Sequence, residues 1–256
     1  MKYGKTILIV IGVAALLVSF TSQAGAEIID ETAEDIFTLI VDDHGGDDPV
    51  QFKPKGNFDN QHRRFKFQNT GKAHRVHNRF SLEWVVDADP DPFLHVVYTI
   101  TNDSPNTKDF TLKTTLPINP AITGQSLTGG SVSLSLTDTN GNTAELSSVL
   151  SGAPVYMSLL DDVPHESLMD SPQSFITGVY GTTASGISPE EFGTPIPSLI
   201  GPPISSNIGI ELNARLTAGD TATIHATLVV TPEPGTVALL TIGGVAMILR
   251  RRRRRI

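Results

Sequence analysis

The sequence predicts an all-β protein, an antiparallel β-sandwich of jelly-roll or immunoglobulin-like topology, and three observations predict it. From Phe80 onward apolar residues recur at every second position, as in strands with one buried face. Gly, Pro, Asn and Asp cluster between these runs, where the chain must turn. Long helical periodicity is nearly absent outside the two chain ends. The two topologies share all three features and stay open.

The first element is terminal. Lys2 and Lys5 precede Ile7 to Phe20, an uncharged apolar run, and Ala24-Gly25-Ala26 follows. A basic start, a short apolar core and small residues at Ala24 and Ala26 form the pattern of an export signal cut by signal peptidase. The expectation is a signal peptide over 1–26, a mature chain from Glu27 and a β-sandwich domain over 27–230.

With 256 residues and an apolar fraction of 39%, the chain can bury one good core. It has no cysteine, which excludes disulfides, thiol catalysis, iron–sulfur clusters and cysteine zinc sites. Residues 27–230 carry 11 Lys+Arg against 26 Asp+Glu, a formal balance of −15. Such an acidic body does not seek nucleic acid or anionic lipid.

The charge is laid out in blocks. Residues 27–48 hold nine acids and no Lys or Arg; residues 53–79 hold eight basic residues and one acid, Asp59. Within the acidic block, 29–41 reads either as a short helix capped by Asp30 or as a first strand at Ile36–Val41. Asp42, Asp43, Asp47 and Asp48 surround His44 and two glycines; they could supply oxygen ligands to calcium, or form a solvated acidic turn that needs no ion. Asp87, Asp89 and Asp91 form a second acidic cluster of the same ambiguity. In the basic block, Arg63, Arg64 and Lys66 interleave with Phe58, Phe65 and Phe67, a possible patch for acidic glycans. The same alternation also describes an ordinary strand with one buried face. His62, His74 and His77 lie in this block, whose positive charge disfavours a dication.

The strands follow in order. RFSLEWVV aligns Phe80, Leu82, Trp84 and Val86; FLHVVYTIT aligns Leu94, Val96, Tyr98 and Ile100. DFTLKTTL and SVSLSLTD repeat the pattern, and NIGIELNARL and TATIHATLVV close it. Turn signals stand at 88–92, at 101–107, at Asn140-Gly141 and at Ala218-Gly219-Asp220. Asn140-Gly141 is a type I′ hairpin signal. Asp138-Thr-Asn140-Gly-Asn142 begins like an EF-hand loop, but Thr143 and Val149 stand where glycine and glutamate are required. Residues 185–207 hold Pro189, Pro195, Pro197, Pro202 and Pro203, which rules out a central strand and suggests a long loop over the sandwich. Asn102-Asp103-Ser104 fits the N-glycosylation pattern. No GxSxG, HExxH, P-loop or GxGxxG occurs in its required context.

The last element is Pro232-Glu233-Pro234, then Gly235 to Leu249 without a charge, then Arg250, Arg251, Arg252, Arg253, Arg254 and Arg255. As a helix, 235–249 would cover about 22 Å, shorter than a hydrocarbon core of about 30 Å, so insertion would rely on arginine snorkelling and local thinning. The arginines resist translocation and should stay cytoplasmic. This three-part end resembles the PEP-CTERM sorting signal over 231–256. The resemblance implies a transmembrane sorting helix, recognition and processing by an exosortase, transient residence in the inner membrane, and a destination at the cell surface or outside, in bacteria that make extracellular polysaccharide. VVYTITNDSPNTKDFTLKTTLPI is similar to the sandwich cargo domains of such proteins.

The expected function is structural or adhesive, within extracellular polysaccharide, without catalysis and without a cofactor or metal. The alternative is a carbohydrate-binding module for acidic glycans, using the 53–79 stretch or the region of Trp84. Paired carboxylates for glycoside hydrolysis remain a third reading, since their separation is invisible in a sequence.

Overall fold

Strands that bury one face and solvate the other must pack in pairs of sheets, and two antiparallel sheets are what the chain forms. The computed structural model describes residues 38–42, 50–52, 57–59, 64–69, 80–89, 92–118, 121–149, 151–183 and 189–233. The chain divides into Met1–Ala33, outside the described residues, and Glu34–Ile256, which holds both sheets.

In chain order the first strands are β1 (Thr38–Asp42), β2 (Val50–Phe52), β3 (Asn57–Asp59), β4 (Arg64–Asn69), β5 (Phe80–Asp89) and β6 (Phe93–Asn102). Then come β7 (Lys108–Pro117), β8 (Ser126–Thr137), β9 (Glu145–Ser147), β10 (Tyr156–Leu160), β11 (Val163–Leu168) and β12 (Ser174–Ile176). Last are β13 (Thr182–Thr183), β14 (Glu190–Phe192), β15 (Leu199–Gly201), β16 (Asn207–Leu216) and β17 (Thr221–Pro232). One sheet runs β11-β10-β16-β7-β1-β2, with β9 also on β16 and β12 on β9. The other runs β13-β8-β17-β6-β5-β4-β3, with β14 and β15 following β13 along the edge of β8. Three short segments thus cover an edge that would otherwise offer unpaired backbone groups to another chain.

Alternation delivers the core. Leu82, Trp84, Leu94, Tyr98, Leu136, Ile224 and Leu228 from one sheet are buried, as are Phe110, Leu112, Tyr156, Ile210 and Leu212 from the other. Each such side chain contributes about 1.5–3 kcal/mol by leaving water. Side chains of the two layers meet directly. Phe80 meets Phe110 edge-on with centroids 5.7 Å apart. The buried Tyr98 hydroxyl hydrogen-bonds Thr114 Oγ1. Tyr156 Oη donates to the Thr227 carbonyl at 3.0 Å. Gly130 on β8 makes room for that phenol: a Cβ there would lie 2.5 Å from the Phe192 ring and 2.7 Å from Tyr156 Oη.

Several expectations change. Of the two readings of 29–41, the strand is the one found, as β1 over Thr38–Asp42, and 29–37 lie outside the described residues. Asn140-Gly141 does not close a hairpin: β8 and β9 lie in different sheets. The turns at 101–107 and 218–220 also carry the chain from one sheet to the other, so only the turn at 88–92 joins paired neighbours, β5 and β6. A two-residue hairpin joins β10 and β11, where Leu160 pairs with Val163. Its turn residues, Asp161 and Asp162, have φ of 51° and 61°, the left-handed pair of a type I′ turn. The proline-rich stretch supplies β14 and β15, short edge strands that pair with β8. Trp84 is 4% exposed and belongs to the core, which removes it as a glycan contact. Asn102 is fully buried, so its amide is closed to glycosylation.

Candidate functional site

Strand β17 sets the geometry. At its start Thr221 pairs with Thr137, and at its end Pro232 pairs with Ser126. Its 12 residues span about 36 Å and define two poles of the sandwich. The Pro-Glu-Pro triplet sits at one of them. Pro232 completes β17, and the Glu233 amide donates to the Gln125 carbonyl at 3.0 Å. The last strand therefore passes into the triplet without a linker. Pro234 and Arg250–Arg255 lie outside the described residues, as do Ala24 and Ala26 and the segments 1–26 and 235–249.

The opposite pole is built around Asp138, at the end of β8. Its Oδ1 accepts the Asn140 amide at 3.1 Å and the Gly141 amide at 2.8 Å. Its Oδ2 accepts the Thr143 amide at 3.1 Å and the Tyr180 amide at 2.7 Å. Burial opposes the charged form, but these four N–H groups overcome it and hold the carboxyl below the ordinary aspartate range. One side chain thereby ties loop 138–143 to loop 177–181. The Asp138 amide to the Gly181 carbonyl (3.0 Å) and the Thr177 amide to the Ala144 carbonyl (2.9 Å) complete the join.

This frame presents Tyr180. The residue is 72% exposed, although its backbone is pinned in the left-handed region at φ 51°. A tyrosine in that region costs about 1–3 kcal/mol, which the hydrogen bond to Asp138 offsets. The phenol end of the ring rests on Gly141, itself at φ 83°, where a Cβ would lie 2.3 Å from Cζ. Ile176 and Val179, at 62% and 60% exposure, extend the apolar surface. Exposed Asn142, next to Gly141, and exposed Thr182 supply an amide and a hydroxyl on the same two segments.

The floor of this pole is also ordered. Asn102 Nδ2 donates to the carbonyls of Asn106 (2.9 Å), Leu216 (2.9 Å) and Thr217 (3.1 Å). Asn140 Nδ2 donates to the Ala218 carbonyl at 2.6 Å. Asp220 is fully buried; Thr217 Oγ1 donates to its Oδ2 at 2.6 Å, while its Oδ1 accepts no hydrogen bond. Burial pushes its carboxyl up, the Thr217 hydroxyl and Thr139 amide pull it down, and neighbouring Asp138 adds to the rise. The two carboxyls do not form a metal centre: the oxygens of Asp138 are spent on amides. Among the described residues no group of three or more His, Asp or Glu is placed to hold a metal ion.

The other sequence candidates lie elsewhere. Arg64 and Lys66 are on β4, whose register sets Lys66 opposite Asp87 and Phe65 and Phe67 opposite Ala88 and Val86. Arg63 is outside the described residues, as are Asp43, Asp47 and Asp48; Asp42 ends β1 opposite Thr111. Tyr180 was missed. Its signal was available in ITGVYGTT, an aromatic set between Gly178 and Gly181 where alternation has lapsed.

Residues 230–254 match the model of the PEP-CTERM protein-sorting motif. The chain thus carries a PEP-CTERM protein-sorting motif, and the motif implies export, sorting across the membrane toward the cell surface and processing by an exosortase. No curated protein matches the chain. Among solved structures, the chain is similar to TmCBM61 in complex with beta-1,4-galactotriose, at 14% identity and a TM-score of 0.22, over 59% of this chain and 88% of that one. A structure described under the carbohydrate-binding modules from the beta-sandwich super family shows 10% identity and a TM-score of 0.20, over 74% and 82% of the two chains. The infectious bursal disease virus Gx strain structure shows 11% identity and a TM-score of 0.18, over 76% and 54%.

Proposed function

We propose that this protein is a non-catalytic, adhesive sandwich of the cell surface or extracellular polysaccharide matrix. In this reading the triplet end faces the membrane during sorting, and the Tyr180 end faces outward. The observation that carries it is the opposition of the two along one strand: β17 leaves the Asp138–Tyr180 frame at Thr221 and runs into the sorting motif at Pro232. Signal peptidase would act at Ala24–Ala26 and the exosortase at the C-terminal motif. The membrane would hold the chain transiently through 235–249, with Arg250–Arg255 left on the cytoplasmic side because polycationic residues do not cross lipid.

A C-terminal truncation tests this. Pro232 and Glu233 belong to the fold through Ser126 and Gln125, so the deletion should begin at Pro234. Cells expressing the full chain or residues 1–233 are fractionated, and intact masses are measured from envelope and medium. The expected result is a full chain that is processed at both ends and found at the surface, and a truncated chain left unsorted. Identical location and absent C-terminal processing in both would overturn the reading.

A further inference from the structure

We propose that the Tyr180 pole is a binding site for neutral polysaccharide, with the phenol ring as a platform for one pyranose face and the exposed Asn142 amide and Thr182 hydroxyl as partners for its hydroxyl groups. The inference rests on the adhesive reading above and gives it a site and a ligand class.

Four observations carry it. The first is cost: a large aromatic, 72% exposed, is held in a left-handed backbone, where Gly or Asn would sit without strain. The second is support. The Asp138 carboxylate pins the Tyr180 amide at 2.7 Å, and Gly141 lies directly against the phenol end of the ring. A ring that is ordered before binding loses little entropy when a ligand covers it. The third is amphipathic chemistry. Apolar Val179 precedes the ring on one loop, exposed Ile176 ends the strand that leads into it, and exposed Asn142 follows Gly141 on the other loop. A pyranose is matched to this, because it presents C–H groups on its faces and hydroxyls around its rim. The fourth is charge. Asp138 and Asp220 are buried and turned to backbone amides and to Thr217, so neither carboxylate reaches the surface at Tyr180, and the pole's other acids, Glu145 opposite Ile176 and the exposed Asp103, add negative charge only. The acidic body, at −15 over 27–230, disfavours an anionic glycan at the same place. This ligand class differs from the acidic glycans expected of Arg63, Arg64 and Lys66.

The test is affinity electrophoresis and calorimetry of the full chain in detergent. The probes are soluble neutral polysaccharides (a β-glucan, a galactan and a dextran) and two acidic ones (an alginate and a pectate). The expected result is binding to at least one neutral probe. It should weaken about tenfold or more in Tyr180→Ala, since one aromatic contact carries roughly that factor, and persist in Tyr180→Phe and Tyr180→Trp. Thermal midpoints of all variants are measured alongside, and Asn142→Ala serves as a second variant that leaves the backbone frame intact; it should weaken the same neutral probe. Equal binding by wild type and Tyr180→Ala, or binding confined to the acidic probes, would overturn the inference while leaving an adhesive role standing. No binding to any probe would also overturn it, whereas failure of sorting is read separately from the fractionation above.

Discussion

Two aspartates, one at each pole of the sandwich, are treated in opposite ways. Asp161, in the β10–β11 turn at the sorting end, accepts the amides of Ser205, Ser206 and Asn207 and both serine hydroxyls at 2.7–3.2 Å. Burial works against its charge, but these donors hold its carboxyl well below the usual range. Asp220, at the Tyr180 end, is fully buried with one oxygen lacking a hydrogen bond, and its carboxyl is pushed up. The difference teaches that the sorting turn is fastened by a satisfied anion alone, while the Tyr180 end, besides the satisfied Asp138, accepts a second and poorly solvated carboxyl in packing its loops around one exposed ring. Left-handed non-glycine backbone occurs at both ends, at Asp161 and Asp162 and at Thr143 and Tyr180, so the carboxyls and not the backbone set the ends apart.

The hardest blow to the Tyr180 end should come from Asn102→Ala. It removes the side-chain donor of the Leu216 and Thr217 carbonyls, while the Asn106 carbonyl keeps the Ser104 hydroxyl, and its cost is about 3 kcal/mol in a denaturant titration, because buried unsatisfied groups cost about 1–3 kcal/mol each and part of the loss is recovered by water. A loss under about 0.5 kcal/mol would show that this floor does not hold the pole. Next is Gly141→Ala, which meets a positive φ and the Tyr180 phenol together. It should cost about 1–3 kcal/mol and change the near-ultraviolet dichroism of tyrosine.

A pH series sharpens the contrast between the two aspartates. The folded-state pKa of Asp220 lies above its unfolded value, so its contribution is fully present below about pH 4 and is lost as pH rises through the folded value. Asp220→Asn should therefore gain thermal midpoint relative to wild type as pH rises. Asp161 has the opposite sign: its contribution is present above about pH 4 and is lost as pH falls through the depressed value. The deficit of Asp161→Asn should shrink in acid. Parallel pH curves for the two variants would refute the contrast. The smallest effect is expected of Lys113→Ala, which removes a 2.8 Å ion pair to Asp162, itself 54% exposed, beside the sorting-end turn. About 0.5 kcal/mol, decreasing with added salt, is expected from a pair so open to solvent.

The strands were legible because alternation is local. β16 matches its sequence run residue for residue, and Phe80, Leu82, Trp84 and Val86 share the buried face that their spacing required. The connections were not. A turn signal such as Asn140-Gly141 or Ala218-Gly219-Asp220 reports that the chain reverses, but whether it pairs back or arches to the facing sheet depends on distant partners such as Gly181 and Asn102. The β10–β11 hairpin was hidden because Asp161-Asp162 lacks the glycine that usually marks a type I′ turn, and because Ser205 and Ser206, far along the chain, stabilise it. Tyr180 was hidden for the same reason. Its role follows from an amide bound to Asp138, 42 residues earlier.

The central claim is that the two ends of β17 face opposite ways, one toward the sorting membrane and one outward. The chain has no cysteine, so a single one can report on each end: Gln125→Cys beside Glu233, and Asn142→Cys beside Gly141. Spheroplasts holding the membrane-bound form are treated with a bulky, impermeant maleimide. The account predicts fast labelling at Asn142→Cys and slower labelling at Gln125→Cys. Faster labelling at Gln125→Cys, or labelling of Asn142→Cys only after lysis, would contradict it.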